Sequence, residues 1–194
     1  VNGEQSAPKM GFLNNESYSG AVKAMEYLAD CGHRKIGFLC NKLENNGNHQ
    51  QRLQAYLDMM KQINPEYRKE WIIPHQPTPE TYEAGYNQCT QLLLTCPEIT
   101  AVFCSNDEMA IGAIKACWDA KLRVPEDISV IGFDDILHGR YQHPALTTVK
   151  QPLTELGFRA VKYLDEFLKN RRNNLPCETL ETELIVRDSV ANIR

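Results

Sequence analysis

The sequence has no apolar run long enough to cross a bilayer; stretches such as Ile36 to Cys40 and Ala101 to Cys104 stop after a handful of residues, where a spanning helix needs about 20. Its N-terminus lacks the charged start and apolar stretch of a secretory signal, so no membrane association is expected. Basic charge is not in surplus: Lys+Arg number 21 against Asp+Glu 25, a net charge of -4, which argues against a self-standing nucleic-acid-binding module. The seven cysteines, at 31, 40, 89, 96, 104, 117 and 177, contain no Cys-x-x-Cys pair. An odd count with irregular gaps fits neither a zinc site nor a disulfide framework. Several close apolar runs, as Cys40 and Cys104 do, and read as small buried hydrophobes in a reducing, cytoplasmic setting.

Catalytic signatures are equally scarce. There is no Gly-x-Ser-x-Gly elbow, His-Glu-x-x-His helix, phosphate-cradling loop or dinucleotide fingerprint. Histidines at 33, 49, 75, 138 and 143 are scattered; His138 and His143 share a loop without a third ligand, and His33 follows Gly32, where an imidazole can bond the last helix carbonyls. No enzyme activity, metal or cofactor is expected.

What is present is ordinary globular composition, 42% hydrophobic and 24% charged over 194 residues, enough to bury a sizeable core. The chain starts at Val1 with a polar lead-in and is expected to be a piece of something longer. From about Ser17, helical and strand-like patterns alternate. Helices are expected from a cap at Ser17 or Ser19 to an end at Gly32, from His49 to Ile63, from Glu80 to Leu94, from a cap at Asn106 or Ser105 to Ala120, and from Leu153 to Lys169. Strands are expected at 35–40, 71–73, 101–104, 128–133, 146–149 and 182–186, with polar stretches at 134–143 and 171–174 between elements. The fourth helix is apolar or small on nearly all sides, which predicts that part of it meets a partner. Strands separated by helices imply right-handed crossovers and a mostly parallel sheet covered on both faces, an α/β fold.

In such sheets ligands sit beyond the carboxyl ends of the strands, which directs attention to the loops beginning at Asn41, Ser105, Asp134 and Lys150. They lead to Arg52, supply Asn106 and Asp134, and end at Gln151. An arginine, two carboxamides and a carboxylate suit a polyhydroxylated or heterocyclic ligand held by paired hydrogen bonds. Asn106 and Asp134 could equally be a helix cap and a turn former.

Several segments are similar to motifs of the LacI/GalR family of bacterial transcription regulators: Gly32-His33-Arg34-Lys35-Ile36, Asn106-Asp107-Glu108-Met109-Ala110-Ile111-Gly112-Ala113, Leu122 to Asp135, Pro144 to Pro152, and Leu184 to Ser189. The resemblance runs from Asn14 to Ser189. It implies a periplasmic-binding-protein-like (type I) fold that closes on a small effector, and it places the family's effector contacts on Arg52, Asn106, Asp134 and Gln151. It also implies lobe boundaries: a lead-in over 1–13, the C-terminal lobe over 14–145, the crossover strand and helix of a partly missing first lobe over 146–175, and a return to the C-terminal lobe over 176–194. The implied partners are a small polar effector (sugar, sugar derivative or nucleobase), a second copy of the chain, and operator DNA through a helix-turn-helix headpiece that these residues do not supply. Dimer contacts are expected around Met109, Ala110 and Ile111, with Arg140 and Tyr141. The crossover helix, with Leu153, Leu156, Val161, Leu164 and Leu168 on one stripe, is expected to pack on a second copy or fold back. An exported sugar-binding protein of a transport system is the alternative, since it shares the fold. Gln76 to Glu80, where relatives often carry an aromatic, has none.

Overall fold

In a computed structural model of the protein, residues 11–41, 47–75, 81–169 and 175–194 are described. They form two compact units. The larger comprises Ser17–Gln151 and Glu183–Arg194, the smaller 1–16 and Pro152–Thr182.

The larger unit alternates helix and strand: α1 (Ser17–Asp30), β2 (Ile36–Leu39), α2 (Gly47–Ile63), β3 (Ile72–Ile73), α3 (Thr81–Thr95), β4 (Ala101–Cys104), α4 (Asp107–Asp119), β5 (Ser129–Asp134), a short α5 (Leu137–Tyr141), β6 (Thr147–Lys150) and β8 (Glu183–Ile185). The six-stranded sheet has the order β3-β2-β4-β5-β6-β8, parallel from β3 to β6, with β8 antiparallel on β6 through Thr148 opposite Ile185. Strands β2 and β4 are buried along their whole length, as the apolar runs there require of a sheet covered on both faces. Phe38 stacks edge-on against Phe103 from the neighbouring strand and tilts against Tyr56 of α2, at centroid distances of 5.3 and 5.0 Å.

Helices α3 and α4 cross at glycines. A Cβ on Gly112 would lie 2.0 Å from the Tyr82 carbonyl oxygen, and one on Gly85 would lie 2.2 Å from that of Met109. This close crossing, together with β5, accounts for the apolar circumference of α4. Met109, Ala110, Ala113 and Cys117 are fully buried within the unit, so Met109 and Ala110 have no surface to give a partner, contrary to expectation; Ile111 is half-buried and Trp118 exposed. All seven cysteines are free, six of them buried and Cys177 exposed.

The smaller unit pairs β1 (Phe12–Asn15) in parallel with β7 (Cys177–Leu180), neither of which the apolar pattern revealed, and adds α6 (Leu153–Leu168). Glu178 accepts from Arg159 (3.0 Å) and from the Tyr163 hydroxyl (2.9 Å), which fastens α6 to β7. No residue of α6 is buried, and Phe158, Val161 and Leu168 are each at least 65% exposed. Strand Thr147–Lys150 lies in the six-stranded sheet, and Cys177–Leu180 pairs with β1. The polar stretch 134–143 contains α5, and 171–174 lies outside the described residues.

His33 corrects a further expectation. Instead of capping α1 it is buried, with Nδ1 3.0 Å from Thr100 Oγ1 and Nε2 3.2 Å from the Ala191 carbonyl oxygen, so it ties β4's approach to the C-terminal segment. Burial lowers its pKa, only partly opposed by the Ala191 hydrogen bond. The unfolded chain therefore binds this proton more readily than the folded one, and His33 contributes stability that is present near neutrality and lost as pH falls below about 6.5. Urea denaturation should show stability decreasing from pH 7 to pH 5, with a shallower decrease in His33→Gln; an unchanged slope in the variant would refute the assignment.

Candidate functional site

Strand order reverses at β2: the chain goes from β2 outward to β3, then returns to β4 on the other side. Loops leaving β2 and β4 at such a point diverge, and the carboxyl edge there is where open α/β sheets bind ligands. Arg52 reaches this edge from α2, and Ser105 and Asn106 follow β4. Asp134 ends β5, and Gln151 follows β6.

Arg52 is 2% exposed. Its guanidinium lies over the Phe133 ring, 3.7 Å from the centroid. Nη1 donates to the Ser105 carbonyl oxygen, and Nη2 lies 3.4 Å from Asp134 Oδ1. The same Oδ1 accepts from Gln151 Nε2. Burial pushes the Arg52 pKa down against the attraction of Asp134 and Asp107, and pushes that of Asp134 up against the attraction of Arg52 and the Gln151 bond. For both partners desolvation outweighs the pairing, so their charges are incompletely compensated. The deficit has a visible location: Arg52 Nε is buried with no hydrogen-bond partner among the described residues.

Asn106 is the N-cap of α4, its Oδ1 accepting from the Met109 N–H at 2.9 Å. The cap role weighed from sequence is thus real. Asp134 is also a turn former, with φ 124°, followed by Asp135 at φ 56°. This left-handed pair sends the two carboxylates apart. Asp135 accepts from Arg187 and, at 2.7 Å, from Arg140 of α5. Burial opposes its charge, but the two arginines together hold its pKa below the usual carboxylate value.

Arg52, Asn106, Asp134 and Gln151 therefore all lie at one edge of one sheet. Sequence reasoning missed the Phe133 ring beneath Arg52, the Ser105 carbonyl, and His49, one helical turn before Arg52. Burial and the Arg52 charge lower the His49 pKa to about 4, which keeps its imidazole neutral at physiological pH. Helical spacing from Arg52 was the available signal for His49. Gln76 to Glu80 lie outside the described residues. Among the described residues no cluster of three His, Cys, Asp or Glu side chains could hold a metal, and no helix is long and apolar enough to cross a membrane.

Replacing Arg52 by Met keeps most of the volume over Phe133 and removes Asp134's counter-charge. Stability at pH 7 should fall by about 3 kcal/mol, the low end for breaking a buried pair, and the Asp134 carboxyl should titrate at higher pH by 13C NMR. A loss below about 1 kcal/mol with an unmoved titration would show that the pair is not coupled.

Residues 25–190 match the family described as periplasmic binding protein-like domain. HTH-type transcriptional repressors PurR of Proteus mirabilis and Serratia proteamaculans are both 39% identical, over 178 and 181 residues, 92% of this chain and 51% of each relative. The chain thus spans about half the length of the curated relatives it matches. Among solved structures, the Escherichia coli transcriptional repressor AscG superposes with a TM-score of 0.83 at 30% identity, covering 96% of this chain and 71% of that one. A LacI family regulator from Enterococcus faecium with bound ribose gives 0.83 at 25%, covering 98% and 69%, and the transcriptional regulator CelR in a cellobiose complex gives 0.84 at 26%, covering 93% and 54%. On these matches the chain belongs to the periplasmic binding protein-like domain family and is a ligand-sensing domain of the LacI/GalR regulator type.

Proposed function

We propose that these residues bind a small polar effector, a sugar, sugar derivative or nucleobase, at Arg52, Asn106, Asp134 and Gln151. The observation that carries this reading is the buried Arg52 with an unpartnered Nε. A buried charge-assisted donor without an acceptor is costly, and a ligand oxygen or ring nitrogen at that point would relieve the cost. Asp134 could accept from a ligand donor while Asn106 donates, giving the convergent polar set of a small-molecule site. Two relatives of known structure have cellobiose and ribose bound, and the curated relatives are named HTH-type transcriptional repressor PurR, which supports a ring-shaped polar compound as the effector.

In the intact regulator, the effector would bias the arrangement of two subunits and hence of their DNA-reading parts. Operator DNA would be reached through a helix-turn-helix outside these residues, in keeping with the net charge of -4 and the length of the relatives. Such a regulator works in the cytoplasm. The relatives are repressors, which favours regulation over transport and over catalysis.

The homodimer face centres on Ile111, Leu137 and Tyr141, which line one surface depression with Tyr82, His138 and Gln142. Leu137 is 63% and Tyr141 82% exposed, and Arg140 beside them is fixed by Asp135. A second copy of the same face would cover them.

Titration calorimetry against sugars, sugar phosphates and nucleobases should find a ligand whose affinity drops at least 100-fold in both Arg52→Ala and Asp134→Ala, since each removes a charged hydrogen-bond partner. Wild-type binding by both variants would refute the site. In sedimentation equilibrium, Tyr141→Asp should raise the dimer dissociation constant about 30-fold, the effect of losing an interface hot spot; unchanged association would move the interface elsewhere.

A further inference from the structure

Among the described residues, Asp107 is the only carboxylate wholly withdrawn from solvent. It opens α4, beside the Asn106 cap, and its side chain runs over β5 at Gly132, where a Cβ would come within 2.2 Å of Oδ1. Only glycine leaves room for the carboxylate there. Oδ1 accepts from the Thr148 hydroxyl of β6, and Oδ2 accepts from the Ile136 N–H at 2.9 Å. One carboxylate thus clips the end of α4 to β6 and to the turn that follows β5. That turn holds Asp134 and Asp135 consecutively at positive φ, a backbone region uncommon for residues other than glycine.

The charged and titratable groups acting on Asp107 come from each element around it: Arg52 from α2, Tyr82 from α3, Cys104 from β4, and Asp134 and Asp135 from the turn. Glu108 is its neighbour on α4. Burial is the largest influence and raises the pKa of Asp107 to about 6, with the Thr148 and Ile136 bonds opposing and the two turn aspartates adding to the rise. The Ile136 bond favours the ionised form, so by linkage ionisation favours the bond and protonation favours its release. A protonated acid also has one good acceptor for two donors.

We propose that Asp107 is a positioning residue of the effector site, whose ionised carboxylate holds the 134–136 turn and thereby aims Asp134, and whose protonation loosens that turn. The assignment rests on the reading of Asp134 as an effector contact. It makes the site responsive to mild acid through a residue that touches no ligand.

The test uses the proton as its only probe. Amide hydrogen exchange by NMR, expressed as protection factors so that intrinsic pH dependence cancels, compares Ile136 with Val130 in the core of β5 between pH 8 and pH 5. Toward pH 5, Ile136 protection is expected to fall about tenfold more than that of Val130, whose loss reports the global change in stability. Asp107→Asn should show the low Ile136 value at every pH. Thr148→Val, which keeps the Ile136 bond but removes a donor to the ionised form, should move the midpoint upward by about one pH unit and decides the matter if Asp107→Asn does not fold. A pH-independent Ile136 in the wild type, or a midpoint unmoved in Thr148→Val, would overturn the proposal. No effector is added, so failure here is distinguishable from a calorimetric panel that finds no ligand.

Discussion

A guanidinium withdrawn from water must be surrounded by acceptors or a π-face, and the carboxyl edge of the six-stranded sheet is organised around that demand of Arg52. Phe133 supplies the ring beneath it, Ser105 a carbonyl and Asp134 a carboxylate. These come from β4 and β5, while Arg52 itself comes from the helix after β2. On a regular strand Phe133 and Asp134 would point to opposite faces. The left-handed backbone at Asp134 breaks the alternation, so consecutive residues meet the same arginine. The remaining side, at Nε, has no hydrogen-bond partner among the described residues.

The second aspartate of the pair shows what the same turn does in the other direction. Asp135 is held by Arg187 near the C-terminal strand and by Arg140 on α5. The turn therefore joins a polar network facing the site to one beside the exposed Leu137 and Tyr141. Asp107 anchors it from below through Ile136. Groups at the carboxyl edge of the sheet and groups beside Leu137 and Tyr141 thus share three consecutive residues of backbone.

The sequence was most legible where burial is continuous. Runs such as Ile36–Leu39 and Ala101–Cys104 are buried on both faces and appear as unbroken apolar strings, so the parallel sheet and its strand-end loops could be placed, and with them Arg52, Asn106, Asp134 and Gln151. It was least legible where residues are half-exposed. Strands β1 and β7 have alternating or mixed burial and few apolar side chains, and they exist because each is the other's only partner in a two-stranded sheet. Helix α5, five residues long, carries no apolar period.

Apolar patterning and motif chemistry in the sequence alone determined the α/β class, the helix order and the loops at the carboxyl edge, because periodicity records which side of an element meets water. Tertiary structure decided what covers each apolar face and which polar atoms are left unsatisfied. Met109 and Ala110 look like candidates for a partner until the glycine crossing of α3 and α4 shows them enclosed by their own chain. His33 looks like a helix cap until Thr100 and Ala191, distant in sequence, converge on it. Burial and pairing are properties of what folds against a residue, and that depends on long-range packing which local spacing does not encode.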